Sequence, residues 1–139
     1  MLRALDISTS ALVAQRTRLN AVSGNIANIS SLKDENGDAN PYRARQVVFT
    51  TDDTISTSGA SGVKVEEIKT SEAEPLYRYQ PKHPLAIKEG KWKGYVAYPN
   101  IDLTTEMVDA LESTRAYEAN VGVMDITKNM SRETLTILA

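Results

Sequence analysis

The sequence contains no cysteine, and only one histidine, one phenylalanine and one tryptophan in 139 residues. Without cysteine there are no disulfides, no thiolate zinc sites and no thiol nucleophile, and the chain tolerates oxidising and reducing surroundings alike. The single histidine, His83, sits in Pro81-Lys82-His83-Pro84. That is a rigid surface loop without the neighbouring nucleophile and orienting acid that histidine catalysis needs, so its expected role is structural. No stretch approaches the ~18 consecutive apolar residues of a membrane span. Met1-Leu2-Arg3-Ala4-Leu5-Asp6 places an acid where a secretory apolar region would run, so no export by the general route is expected. Nor is there an excess of positive charge: the net charge is −2 and the pI about 5.4, which argues against a polyanion partner such as nucleic acid.

Other sites fail on inspection. The glycines occur singly and build no phosphate-cradling loop. Asp34, Asn36 and Asp38 resemble the start of a calcium loop, but Ala39 and Arg45 stand where its sixth-position Gly and twelfth-position Glu belong. A polar turn with Asn36-Gly37 at its tip is the better reading. No carboxylate pair falls in a recognisable apolar pocket. Lys91-Trp92-Lys93, an aromatic flanked by cations, reads equally as a contact anchor and as a loop tip. The expectation is a chain without catalytic residues, cofactor or metal.

All five prolines lie between residues 41 and 99, so both ends are free of helix breakers. In the first segment, 1–31, Leu5, Leu12, Leu19 and Ile26 recur every seven residues, and Val22 and Ile29 add a second seam position. This predicts a long helix with one thin apolar stripe, thinned by Ser8 and Gln15, that needs a partner. In the last segment, 101–139, Asp102 is the expected N-cap. Met107, Ala110, Thr114, Tyr117, Val121, Met124, Leu135 and Leu138 form one stripe at helical spacing. Ala119, Val123, Ile126, Met130 and Ile137 form another beside it. Two apolar stripes imply two sets of neighbours. Six threonines and Gly122 lower the intrinsic helix propensity, so this helix depends on packing.

The middle, 32–100, has strand-like runs at Gln46–Thr50, Val63–Glu66, Leu76–Gln80 and Tyr95–Tyr98, and a Ser/Thr/Gly-rich stretch at Thr54–Gly62 expected to be a flexible connection. The fold expected is mainly α with a small β-element. Its long N- and C-terminal helices pair as an antiparallel coiled coil around a short β-rich middle.

Ser10-Ala11-Leu12-Val13-Ala14-Gln15-Arg16-Thr17-Arg18-Leu19-Asn20 and Gly24-Asn25-Ile26-Ala27-Asn28 resemble the N-terminal signature of bacterial flagellar rod and hook proteins. Glu106-Met107-Val108-Asp109, Arg115-Ala116-Tyr117-Glu118-Ala119-Asn120-Val121 and Lys128-Asn129-Met130 resemble the matching C-terminal signature. Lys82-His83-Pro84 and Gly94–Asn100 resemble the pattern of a proximal rod member, although the link Ile87–Lys93 is longer than usual. The resemblance implies a subunit of the basal-body rod that assembles helically in the periplasm. Export would run through the flagellar type III apparatus without a signal peptide. Its implied partners are copies of itself, other proximal and distal rod proteins and the basal-body adaptor, with no nucleic acid and no membrane span.

The subunit-interaction residues expected on these grounds are Leu5, Leu12, Leu19, Val22, Asn25, Ile26 and Asn28 in the first helix. In the second they are Met107, Leu111, Arg115, Tyr117, Asn120, Val121, Met124, Met130, Leu135 and Leu138. Leu5, Leu12, Leu19 and Ile26 are expected to face Met107, Tyr117, Val121, Met124, Leu135 and Leu138 within one subunit, leaving the other stripe for neighbours. Gln15, Asn20, Asn25 and Asn28 are candidates either for lining a channel or for hydrogen bonds between helices. An Arg16–Asp125 ion pair is expected across the hairpin. A non-polymerising helical hairpin that captures a partner helix is the alternative reading.

Overall fold

The computed structural model describes residues 2–57 and 59–138. The proline-free ends become helices α1, Leu2–Ala27, and α2, Leu103–Leu138. Between them run strands β1, Arg45–Thr57, β2, Ala60–Thr70, β3, Leu76–Tyr79, and β4, Tyr95–Tyr98. β1 and β2 form one antiparallel hairpin and β3 and β4 another, as two separate two-stranded sheets. The architecture is mainly helical with a small β middle.

Two boundaries differ from the sequence reading. α1 closes at Ala27, four residues early, because the Asn28 side chain donates from Nδ2 to Gly24 O and its Oδ1 accepts from Ser31 Oγ. These local bonds satisfy the last turn and divert the chain. The stretch read as a flexible connection, 54–62, is mostly strand: β1 continues to Thr57 and β2 begins at Ala60. Its threonines are β-branched, and an antiparallel partner gives their backbone groups a ladder. A bulge between Val48 and Phe49 shifts the register of this hairpin.

β2 lies directly on α1. Ser10 Oγ donates to Ile7 O at 2.7 Å and accepts the Val63 N–H at 3.1 Å. Gly62 permits this approach, since a Cβ there would sit 3.0 Å from Ser10 Oγ and 3.2 Å from Ile55 Cδ1.

Asp102 caps α2 as read from sequence. Its carboxylate accepts from Thr105 Oγ1 at 2.8 Å and from the Thr104 N–H at 3.1 Å. The Thr105 hydroxyl and then the Thr104 amide hold its carboxyl below the ordinary value of 3.8. A depressed carboxyl pKa means the folded state binds fewer protons. The cap's contribution is therefore present above the unfolded value and lost as pH falls through the folded one. Far-UV circular dichroism between pH 5 and pH 2 is expected to show α2 fraying at its start. Asp102→Asn keeps the cap geometry and is expected to remove that part of the acid dependence.

Candidate assembly surface

α1 and α2 run antiparallel, and two polar contacts mark their register. Arg18 Nη2 lies 3.2 Å from Asp109 Oδ1, and Asn25 Nδ2 lies 3.1 Å from both Glu106 carboxylate oxygens. The ion pair across the hairpin is thus Arg18–Asp109, not Arg16–Asp125. In this register Arg16 is level with the neighbourhood of Ser113, and Asp125 is level with the first turn of α1. The longer α2 runs about three turns past Leu2, at about 1.5 Å per residue.

Asn25 is the node of the molecule. It is 1% exposed. Its amide donates to Arg45 O at 2.9 Å and to Glu106, and its Oδ1 accepts the Arg45 N–H at 2.8 Å and the Tyr42 hydroxyl at 3.2 Å. All four hydrogen-bonding positions of the side chain are used. One residue ties α1 to the start of β1 and to the first turn of α2. Of the two roles left open for Asn25, the structure shows hydrogen bonding between helices.

The seam between the helices is small and polar. Ser8, Ala14, Val22 and Asn25 are buried on α1, and Ser113 is buried on α2. Glu106, Asp109, Ala110, Ala116, Asn120, Met124 and Thr127 are half-buried on the same side of α2. Small side chains let the helices approach closely. Ser113 is 0% exposed and its hydroxyl has no hydrogen-bond partner, nor does Gln15 Oε1. An unsatisfied buried hydroxyl is a cost, so Ser113→Ala is expected to stabilise the subunit by about 1 kcal/mol. A rise in the urea midpoint with unchanged slope would confirm it; a fall would show that the hydroxyl is satisfied.

The large apolar residues lie elsewhere. Only Ala14, Val22, Ala44 and Val96 are buried apolar residues among those described, whereas eleven large apolar side chains of α2 are exposed. The expected facing of Leu5, Leu12, Leu19 and Ile26 onto the whole set Met107, Tyr117, Val121, Met124, Leu135 and Leu138 is not met. Met107 is 56% and Leu135 67% exposed, and Tyr117 and Val121 are each exposed by more than a third. Only Met124 of that set is half-buried. The reason is registration at close approach: Ser8 and Gln15, read as gaps in the stripe, lie in the seam with Val22, and the leucines stand about a quarter turn away. The side chain of Leu138 lies outside the described residues.

At about 100° per residue, the exposed residues of α2 sort into two flanks on either side of the seam. Leu103, Met107, Tyr117, Val121 and Leu135 form one; Val108, Val123, Ile126, Met130 and Ile137 form the other. Because the helices are antiparallel, the first flank turns to the same side as Leu5, Leu12, Leu19 and Ile26 of α1, which are half-buried. The β1–β2 hairpin occupies the opposite side of α1 through Ser10. The helix pair therefore presents an apolar face away from the hairpin and a second apolar stripe along α2 toward it. Leu111 and Arg115 stand on the outer side of α2, and Asn120 sits in the seam with its amide on Ala116 O.

The remaining motifs are structural. His83 Nδ1 accepts the Leu85 N–H at 3.1 Å and closes its loop. Asp34 Oδ1 accepts from the Asn36 and Asp38 amides, with Gly37 at φ +86° in the turn. No helix among the described residues is long and apolar enough to cross a membrane.

Residues 5–30 match the family model described as flagella basal body rod protein, and residues 93–137 match flagellar basal body rod FlgEFG protein C-terminal. The chain is 41% identical to the flagellar basal-body rod protein FlgC of Escherichia coli O6:H1, over 99% of this chain and 97% of the relative. It is 38% identical to that of Bacillus subtilis and 35% identical to that of Borreliella burgdorferi, each over 96% of this chain and 95% of the relative.

Proposed function

We propose, from the premise that this chain belongs to the flagellar basal-body rod protein FlgC family, that it polymerises through the two apolar flanks of its helix pair. It is a structural subunit of the flagellar basal-body rod and assembles with other rod components. In our reading, unlike neighbours cover the flank shared with α1 and the flank along Val123 and Ile126. Such heterologous contacts do not close and generate a helical tube.

The observation that carries this reading is the placement of apolar surface. The subunit exposes 9868 Å² at 15.3 kDa. A compact monomer of that mass exposes about 7,100 Å². The excess, about 2,700 Å², is the scale of an obligate interface. A chain that, among its described residues, buries four apolar side chains and exposes eleven large ones on one helix has its core completed by neighbours. The finer setting follows from the same reading: the rod tube stands in the periplasm, the chain passes through the flagellar type III export apparatus, and proximal and distal rod subunits and the basal-body adaptor flank it. The segments 1–31 and 101–139 act as the axial core, with 32–100 outside it. A helix pair lacking its neighbours is expected to exchange its amide hydrogens readily at the ends.

Electron microscopy of isolated basal bodies with image reconstruction tests the reading. Density for α1 and α2 along the axis below the distal rod supports it. A basal body whose axis contains no density for this chain overturns it and favours a helical hairpin that binds one partner and stops.

A further inference from the structure

Residues 76–98 form a small unit of their own. Arg78, Lys82, Lys88, Lys91 and Lys93 stand against Glu89 alone, for a net charge of +4 within a chain of −2. An aromatic cluster holds the unit together. Trp92 stacks on Tyr77 with centroids 4.3 Å apart and meets Tyr95 edge-on at 5.4 Å, and Lys91 Nζ lies 5.4 Å from the Trp92 ring. Trp92 remains 37% exposed at the tip Lys91-Trp92-Lys93. Neither β3 nor β4 packs on α1, α2 or the β1–β2 hairpin. An exposed tryptophan between cations, on a unit whose strands pack on neither helix nor the β1–β2 hairpin, has the composition of an interface anchor.

The complementary surface is on α2. Between residues 102 and 125 there are six carboxylates and one cation, Arg115. Glu106 and Asp109 turn toward α1, while Glu118 and Asp125 are exposed on the far face. Gly122 lies between them, four residues after one and three before the other, on that same face. A Cβ at Gly122 would meet nothing within 4 Å, so no packing inside the subunit calls for glycine, although glycine weakens a helix interior. The result is a backbone notch between two carboxylates about 10 Å apart along the helix. It lies about 28 Å along α2 from Leu103, next to which the basic unit is attached, so the unit does not reach the notch of its own chain.

We infer that the Lys91-Trp92-Lys93 tip of one subunit docks on the Glu118-Gly122-Asp125 face of α2 in a second copy of this chain. The Trp92 edge covers the notch and the two lysines meet the two carboxylates. The inference rests on the reading of the chain as a self-assembling subunit, and adds a salt-sensitive outer contact to the apolar ones.

The absence of cysteine makes the test direct. Lys91→Cys and Gly122→Cys are introduced into separate copies of the full chain, expressed together, and basal bodies are isolated and mildly oxidised. The expected result is a disulfide-linked pair at least tenfold more abundant than with Lys91→Cys and Thr104→Cys. Lys93→Glu in the first copy is expected to lower it at least tenfold, and Asp125→Lys in the second to restore it. Cross-linking at the Thr104 level, or no restoration, in basal bodies that contain both variants overturns the docking and leaves the rod reading intact. Absence of the chain from the basal body overturns the rod reading instead. Purified chain that binds phosphatidylserine vesicles through Lys91 and Lys93, with cross-linking at the control level, assigns the tip to a membrane surface and overturns the inference.

Discussion

Asn25→Ala is expected to destabilise the subunit by about 3 kcal/mol, the largest effect of any single truncation in the seam. The substitution removes an amide that serves the Arg45 carbonyl, the Arg45 N–H, the Tyr42 hydroxyl and the Glu106 carboxylate. The backbone groups of Arg45 would be left without the partner that replaces water at the join between α1 and β1. At a domain stability of about 5–15 kcal/mol, such a loss is a large share of the total. Thermal or urea unfolding followed by circular dichroism measures it. Asn25→Asp supplies the sharper test. It keeps an acceptor for Arg45 but sets a second carboxylate against Glu106. Two like charges raise the folded-state carboxyl pKa. The folded variant then binds more protons than the unfolded one, so its stability is greatest at low pH and falls as pH rises through the raised value. A variant equally destabilised at pH 4 and pH 7 would refute the contact with Glu106.

Val121→Glu is expected to leave the isolated subunit folded and to exclude it from the rod. Val121 is exposed in the subunit, so the change costs the monomer less than about 1 kcal/mol. Beneath a neighbour, the same side chain would carry an unpaired charge out of water, a cost of several kcal/mol. At about 1.4 kcal/mol per factor of ten, incorporation is expected to fall by a hundredfold or more. Glu133→Gln, a change at an exposed polar position of α2, is expected to have little effect. Quantifying the chain in isolated basal bodies, with circular dichroism of the free subunit as control, decides the matter. Normal incorporation of Val121→Glu would show that this flank faces solvent in the assembled rod.

The two helices were legible because their ends lack proline and carry apolar residues at helical spacing, and the cap at Asp102 because acid followed by threonines satisfies the first turn locally. All four strand runs in the middle became strands. What could not be read was which face of each helix meets the other. Hydrophobic periodicity selects the most apolar stripe as the partner-facing one, and here that rule points outward. Ser8, Gln15 and Ser113 carry no apolar signal, yet close approach of two backbones favours small side chains at the seam. The pairing of Arg18 with Asp109 rather than Arg16 with Asp125 follows from the same register, which side-chain packing sets and spacing along one helix does not encode. Asn25 was identified through the N-terminal signature, but its link to Arg45 and Glu106 joins residues 20 and 81 positions apart.

The sequence by itself therefore determined the two terminal helices, the four strand runs and the second apolar stripe along α2, since these depend on local propensity and spacing, although 54–62 read as a loop became strand. Only the tertiary structure decided that the apolar stripes face outward around a small polar seam, and that the basic aromatic unit stands apart from the acidic helix. Those outcomes depend on which surfaces of distant segments fit at close range. A one-dimensional pattern records how apolar each face is, but not the shape or the neighbour that covers it.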